Sequence, residues 1–147
     1  MQPRLNAYEA GKDAYRAVLQ LNSYVHDCGL EQSLLALVKI RASQINGCAY
    51  CIDMHVKEGR KAGVSEQRMH LVAAWRESPL FSERERAALA WTEALTLIAD
   101  THAPDSDYEA LRARFSEEEM VKLSVAIGLI NVWNRIVIGF RTVHPVE

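Results

Sequence analysis

An all-α fold is predicted by three features of this 147-residue chain. Alanine and leucine, both strong helix formers, contribute 19 and 15 residues. Glycine and proline, which punctuate turns, number only 7 and 4. Capping boxes of the form S-x-x-E recur at Ser82 to Glu85, Ser106 to Glu109 and Ser116 to Glu119, each ahead of an apolar run. Hydrophobic residues make up 49% of the chain, enough to build a core, so disorder is excluded. The length suits one domain, read here as residues 1–147.

The first helix is expected over 7–28, where Tyr8, Tyr15, Val18, Leu19 and Leu21 recur at helical spacing and Gly29 offers a stop. A second, over 31–45, carries Leu34, Leu35, Leu37, Val38 and Ile40, and ends at the turn-forming pair Asn46-Gly47. A third begins near Cys48 and runs to Ala62, with Gly63 as its stop. Ser65 caps a fourth that reaches about Trp75. The three capping boxes then open helices over 82–99, 106–115 and 116–138.

Charge narrows the function. Seventeen basic and nineteen acidic residues are interspersed for a net charge of −2, which is no nucleic-acid footprint and no polybasic membrane patch. The apolar stretches look too short and too often interrupted by charge to span a bilayer. The amino terminus, MQPRLNAYEAGKDAY, lacks an apolar signal region, so a cytoplasmic location is expected. Three cysteines are too few for a disulfide scaffold, and a reducing compartment disfavours one.

The chemistry concentrates in N-G-C-A-Y-C-I-D-M-H, residues 46–55. On a helix starting here, Cys48, Cys51 and His55 fall within an arc of roughly 60°. Partial positive charge and unpaired N–H groups at the helix amino end favour thiolate over thiol. His55, with a reference pKa of ~6.5, can take the proton at neutral pH. Thiolate, second thiol and base together allow attack on an oxidant followed by closure to a Cys48–Cys51 disulfide, leaving Cys28 free. Half a zinc site remains open, although no second C-x-x-C or H-x-x-x-H supplies a fourth ligand. Two inert buried thiols are another alternative. A thioredoxin-like site would follow a strand, whereas LLALVKIRASQI reads as helix.

The run LVKIRASQINGCAYCIDMH resembles the core of the AhpD-like alkylhydroperoxidases, within the carboxymuconolactone decarboxylase superfamily. The likeness continues through KEGRKAGVSEQRMHLVAAWRESPLFSERERAALAWTEALTLI and returns around NVWNR, so it covers residues 30–100 and part of the last helix. It implies an all-helical fold, trimeric or hexameric assembly, and thiol peroxidase activity without cofactor or metal. Family members that act as lactone decarboxylases generally lack the cysteine pair. By position Cys51 resembles the peroxidatic cysteine, Cys48 the resolving cysteine and His55 the relay histidine. The implied reductant is a lipoylated or other dithiol protein, and the substrate a hydrogen or organic peroxide.

One departure stands out. The family pattern implies a relay glutamate twelve residues before the first cysteine, where this chain has Ala36. Glu31, Asp53 and Glu93 are candidate stand-ins, though solvated helix positions suit each of them. The gap keeps two further functions in view: a dithiol–disulfide reductase, and a non-enzymatic redox sensor or oligomeric binding module. Among the remaining residues, Cys28 reads as a small buried side chain. His26, His70, His102 and His144 lack mutual metal spacing. Trp75, Trp91 and Trp133 suit apolar packing, and Asn131, Asn134 and Arg135 read as structural polar groups in the last helix. Arg41 and Ser43, beside the motif, allow either reading.

Overall fold

A computed structural model describes residues 1–146. The elements in order are α1 (Ala7–Ala10), α2 (Lys12–Asp27), α3 (Gln32–Asn46), α4 (Ala49–Lys61) and α5 (Glu66–Leu71). A 3₁₀ segment (Val72–Glu77) follows, then α6 (Glu83–Thr96), α7 (Ile98–Thr101), α8 (Asp105–Arg112) and α9 (Glu117–Phe140). No strand occurs among the described residues, as an all-α reading requires.

Helix α3 lies at the centre and packs against α4, α6 and α9. Contact on several sides explains why its residues Leu34, Leu35, Ala36, Leu37 and Val38 are all buried in succession, which a one-sided amphipathic helix could not accommodate. Two apolar clusters meet on it. Val25, Leu34, Leu35, Val38, Leu111, Leu123 and Ile127 form one. Leu37, Ile40, Met69, Val72, Trp75, Phe81 and Leu89 form the other. Each fully buried large aliphatic side chain contributes ~1.5–3 kcal/mol relative to exposure.

Several boundaries differ from the sequence expectation. The first helix is interrupted at Gly11, whose backbone (φ −136°, ψ 56°) is not helical. The expected helix to Trp75 tightens into the 3₁₀ segment, within which Ala74 leaves helical geometry. There the Arg86 guanidinium donates to the carbonyls of Trp75, Arg76 and Ser78, satisfying groups that a longer α-helix would have paired internally. The helix expected to run to Ala99 ends at Thr96, and α7 follows.

The Ser82 and Ser116 capping boxes both form. The one at Ser106 does not. Pro104 occupies the N-cap in an extended conformation (φ −63°, ψ 149°) without a side-chain cap, and Ser106 falls inside the first turn of α8.

By length and composition α9 is apolar enough to cross a membrane, contrary to the sequence reading. In this fold it instead lends Leu123, Ala126, Ile127, Leu129 and Ile130 to the core. Its polar residues are tied to other helices. Asn131 donates to Thr96 Oγ1 of α6 at 3.1 Å, and Asn134 to Ser43 Oγ of α3 at 3.1 Å. The Asn46 amide donates to both Asn131 Oδ1 and Asn134 Oδ1, each at 2.9 Å. This network pins the end of α3, one residue before the turn into the cysteine motif.

Candidate active site

Gly47 turns the chain from α3 to α4. It sits in the left-handed region at φ 70°, which glycine reaches without the Cβ penalty. Its N–H donates to Gln44 O, and the Cys48 N–H to Ser43 O at 2.9 Å, so the last α3 carbonyls are satisfied as the chain reverses. Cys48 is therefore the N-cap of α4 rather than a first-turn residue, and its sulfur accepts the Cys51 N–H at 3.3 Å. A sulfur at that position faces the positive end of α4, where a thiolate is stabilised.

Cys48 and Cys51 are joined as a disulfide with Cα atoms 5.3 Å apart, and Cys28 remains free and buried. The structure thus holds the oxidised state that the spacing predicted. Both bridged residues pack with Ala42 and Ile130 in a small apolar cluster edged by Tyr50, Trp133 and Val137.

His55, one turn beyond Cys51 on α4, is 3% exposed. Its Nδ1 lies 2.7 Å from Glu58 Oε2, while Nε2 is buried without a hydrogen-bond partner. A carboxylate only accepts, so the geometry assigns the Nδ1–H form of the neutral ring and leaves the Nε2 lone pair free as a base. Burial pushes His55 below the ordinary histidine pKa, with Lys39 adding to the effect and Glu58 opposing it. The His55 hydrogen bond in turn holds Glu58 below the usual carboxylate range.

Two cavities flank this arrangement. One, of about 470 Å³, is lined by Cys48 and Tyr50 with Val137, Ile138, Arg141 and Val143. The other, of about 250 Å³, is lined by Glu58 with His26, Ala36, Lys39 and Lys61. Cys48 of the disulfide thus borders one cavity, and the carboxylate beside His55 borders the other.

The three residues expected to carry chemistry share the amino half of α4. The proposed stand-ins for the missing glutamate do not join them. Glu31 pairs with Arg84, and Asp53 with Lys57. Glu93 is engaged by Arg41, Arg76 and the Trp75 indole. The carboxylate that reaches His55 is Glu58, which sequence reasoning passed over. The signal was there, because H-x-x-E on a helix sets the two side chains at i and i+3 on one face. Trp75 is buried, and Trp91 and Trp133 are hydrogen-bonded to Ser124 and Asn22. Arg41 serves the Glu93 network, and Ser43 the Asn134 contact. No group of three or more His, Cys, Asp or Glu is arranged to hold a metal ion among the described residues.

The sequence profile of the carboxymuconolactone decarboxylase family matches residues 12–94. The chain belongs to that family. Among curated relatives, the uncharacterized protein YdfG of Bacillus subtilis is 39% identical over 139 residues, covering 95% of each chain. The uncharacterized protein YnjA of Escherichia coli is 35% identical over 104 residues, 70% of this chain and 56% of its own. A crystal structure from Agrobacterium tumefaciens superimposes with a TM-score of 0.97 at 55% identity, covering 99% of this chain and 100% of that one. That protein is of unknown function and provisionally named an AhpD antioxidant defence protein. The debrominase Bmp8 shares the fold, with a TM-score of 0.82 at 18% identity over 94% of this chain and 74% of its own. Within the carboxymuconolactone decarboxylase family, this chain is an AhpD-like member that retains the paired cysteines.

Proposed function

We propose that the protein is a thiol peroxidase that reduces hydrogen peroxide or organic hydroperoxides through its Cys48/Cys51 pair. The observation that carries this reading is a Cys48–Cys51 disulfide at the amino end of α4 with a buried imidazole base one turn on. In the reduced enzyme His55 Nε2 accepts the Cys51 thiol proton. The thiolate attacks the peroxide ROOH, the O–O bond breaks, and Cys51 becomes a sulfenic acid as the alkoxide takes the proton from His55 and leaves as ROH. The Cys48 sulfur then displaces hydroxide from that sulfenic acid, forming the disulfide and releasing water. A dithiol reductant reopens the bridge, so the sum is ROOH plus a dithiol yielding ROH, water and the oxidised reductant. Cys48 borders the larger, mostly apolar cavity, which suits approach of a small dithiol or a lipoylated protein arm. The proposed setting is a cytoplasmic homo-oligomer, a trimer or hexamer.

The test is peroxide consumption with a dithiol reductant. Cys51→Ser should abolish turnover. Cys48→Ser should stop after one oxidation with a trappable sulfenic acid. His55→Ala should slow the reaction by ~10²-fold or more, as loss of a positioned acid–base group does. Sustained turnover by Cys51→Ser would overturn the assignment.

A second reading, a dithiol–disulfide reductase, draws on the same cavity, whose volume of about 470 Å³ exceeds the needs of hydrogen peroxide. It predicts a higher kcat/KM for a disulfide substrate than for any peroxide. A redox sensor differs from both in being oxidised without sustained turnover.

A further inference from the structure

We infer that Glu58 is the positioning carboxylate of this site, completing a thiol–imidazole–carboxylate series of Cys51, His55 and Glu58 along one stripe of α4. The role of the series in turnover rests on the peroxidase reading. Its effect on the His55 ring does not.

Spacing makes the first argument. Residues at i, i+4 and i+7 fall on one helical face, so a single rigid element carries all three groups. Hydrogen bonding makes the second. The 2.7 Å contact occupies Nδ1 and leaves Nε2 buried and unpartnered, an arrangement that fixes which nitrogen acts as base. A buried polar atom without a partner is uncommon and here lies on the group that must accept a proton. Exposure makes the third. The His55 side chain is 4% exposed and that of Glu58 47%, so the carboxylate keeps its charge hydrated while stabilising an imidazolium that burial alone would disfavour.

The surroundings agree in sign. On α3, Lys39 Nζ lies 3.9 Å from Glu58 Oε2. Lys61 of α4 and His26 of α2 line the same cavity. The Lys39 charge helps keep Glu58 ionised and opposes protonation of His55, and the negative charge of Glu58 beside the ring works against that opposition. Ala36 also lines this cavity, and its Cβ lies 3.7 Å from where a Cβ on Gly59 would be. Position 36 thus faces the α4 turn that bears Glu58. A carboxylate could be delivered to this space from either helix, and here α4 delivers it.

The experiment uses the full-length protein in two readouts. The first is ¹⁵N NMR of the His55 imidazole against pH in the oxidised protein, which needs no turnover. The second is the pH profile of peroxide consumption. Wild type should show the Nδ1–H form at neutral pH. Glu58→Gln keeps the size and can still accept a hydrogen bond, but it removes the charge. It should lower the His55 titration midpoint, reduce plateau turnover by ~10²-fold and move the acid limb to lower pH. Adding Ala36→Glu to Glu58→Gln should raise the midpoint again and recover at least ~10-fold of the turnover, within the range a positioned acid–base group supplies. Should the double variant fail to fold, Glu58→Asp takes its place, and its midpoint should lie nearer wild type than the Gln variant. A His55 midpoint unchanged in Glu58→Gln overturns the inference, as does a lost turnover with unchanged ring titration. If the midpoint shifts as expected while even wild type consumes no peroxide, the peroxidase reading fails and the positioning role stands.

Discussion

Ala36 shows how a single position can be misleading in isolation. An alanine at the place of a relay glutamate suggests an impaired site, but Glu58 supplies a carboxylate to His55 from within α4 itself. Ala36→Glu in the wild-type background should therefore change turnover by less than about threefold, well below the ~10²–10⁴-fold span of a limiting acid–base group. Steady-state assays would check this, with circular dichroism to confirm folding, because position 36 is buried and an unpaired glutamate there is costly. Gly59, next to Glu58, is also informative. A Cβ there would come within 2.8 Å of Met69 Sδ. That sulfur is the next-to-last heavy atom of a flexible side chain, which can shift by rotation, and alanine favours a helix over glycine by ~1 kcal/mol. Gly59→Ala should be neutral to within ~1 kcal/mol in chemical denaturation, whereas a β-branched substitution there should destabilise markedly.

At the scale of elements, the site depends on how α3 hands over to α4. Gly47 must hold a positive φ, and nothing lies within 4 Å of where its Cβ would be, so the cost of Gly47→Ala is conformational. It should be ~1–2 kcal/mol. The polar network of Asn46, Asn131, Asn134 and Ser43 anchors that same turn to α9 and α6. Removing the fully buried Asn134 amide leaves Ser43 and Asn46 short of partners. Asn134→Ala should cost ~1–3 kcal/mol, read as a lower denaturant midpoint. It should also slow reclosure of the Cys48–Cys51 bridge, measured by thiol titration after reduction, because the turn loses its fixed register.

At the scale of the whole molecule, acid should destabilise the fold in two steps. His55 has a folded pKa below 6.5, so the stability from burying it neutral is complete above about pH 6.5 and is lost as pH falls from there toward its folded value. Glu58 has a folded pKa below 4.5, so its contribution is complete above that value and is lost as pH falls through its folded value. The Tm should be flat between pH 7 and 8 and decline below about pH 6.5, and a His55→Gln variant should lack the first decline. Leu97, Ile98, Val121, Val132, Ile138 and Phe140 leave apolar surface exposed on the single chain. Four of them, Val121, Val132, Ile138 and Phe140, lie on α9 and are offered by the proposed homo-oligomer as contact residues. The proposed homo-oligomer predicts a mass that is a multiple of 16.6 kDa in light scattering, and a lone 16.6 kDa species would reject it.

Much of this was legible in the chain itself. Helical spacing, scarce turn residues and the boxes at Ser82 and Ser116 are local signals, and they determined the helical class and most helix positions because each depends only on neighbours within a turn or two. The N-G-C-x-x-C-x-x-x-H run determined the cysteine pairing for the same reason, since one turn of one helix brings those sulfurs together. Tertiary structure decided the rest. Ser106 lost its cap to Pro104, and the helix ending near Trp75 tightened around the Arg86 guanidinium, a partner more than ten residues away. That the other candidate acids stay away from His55 was settled by the partners that hold them. Arg84 takes Glu31, and Arg41, Arg76 and Trp75 take Glu93. Those claims depend on distances between helices, set by packing around α3, and no local pattern encodes them. Glu58 meets His55 through the i, i+3 spacing of α4 itself, and packing against α3 adds Lys39 3.9 Å from the same carboxylate.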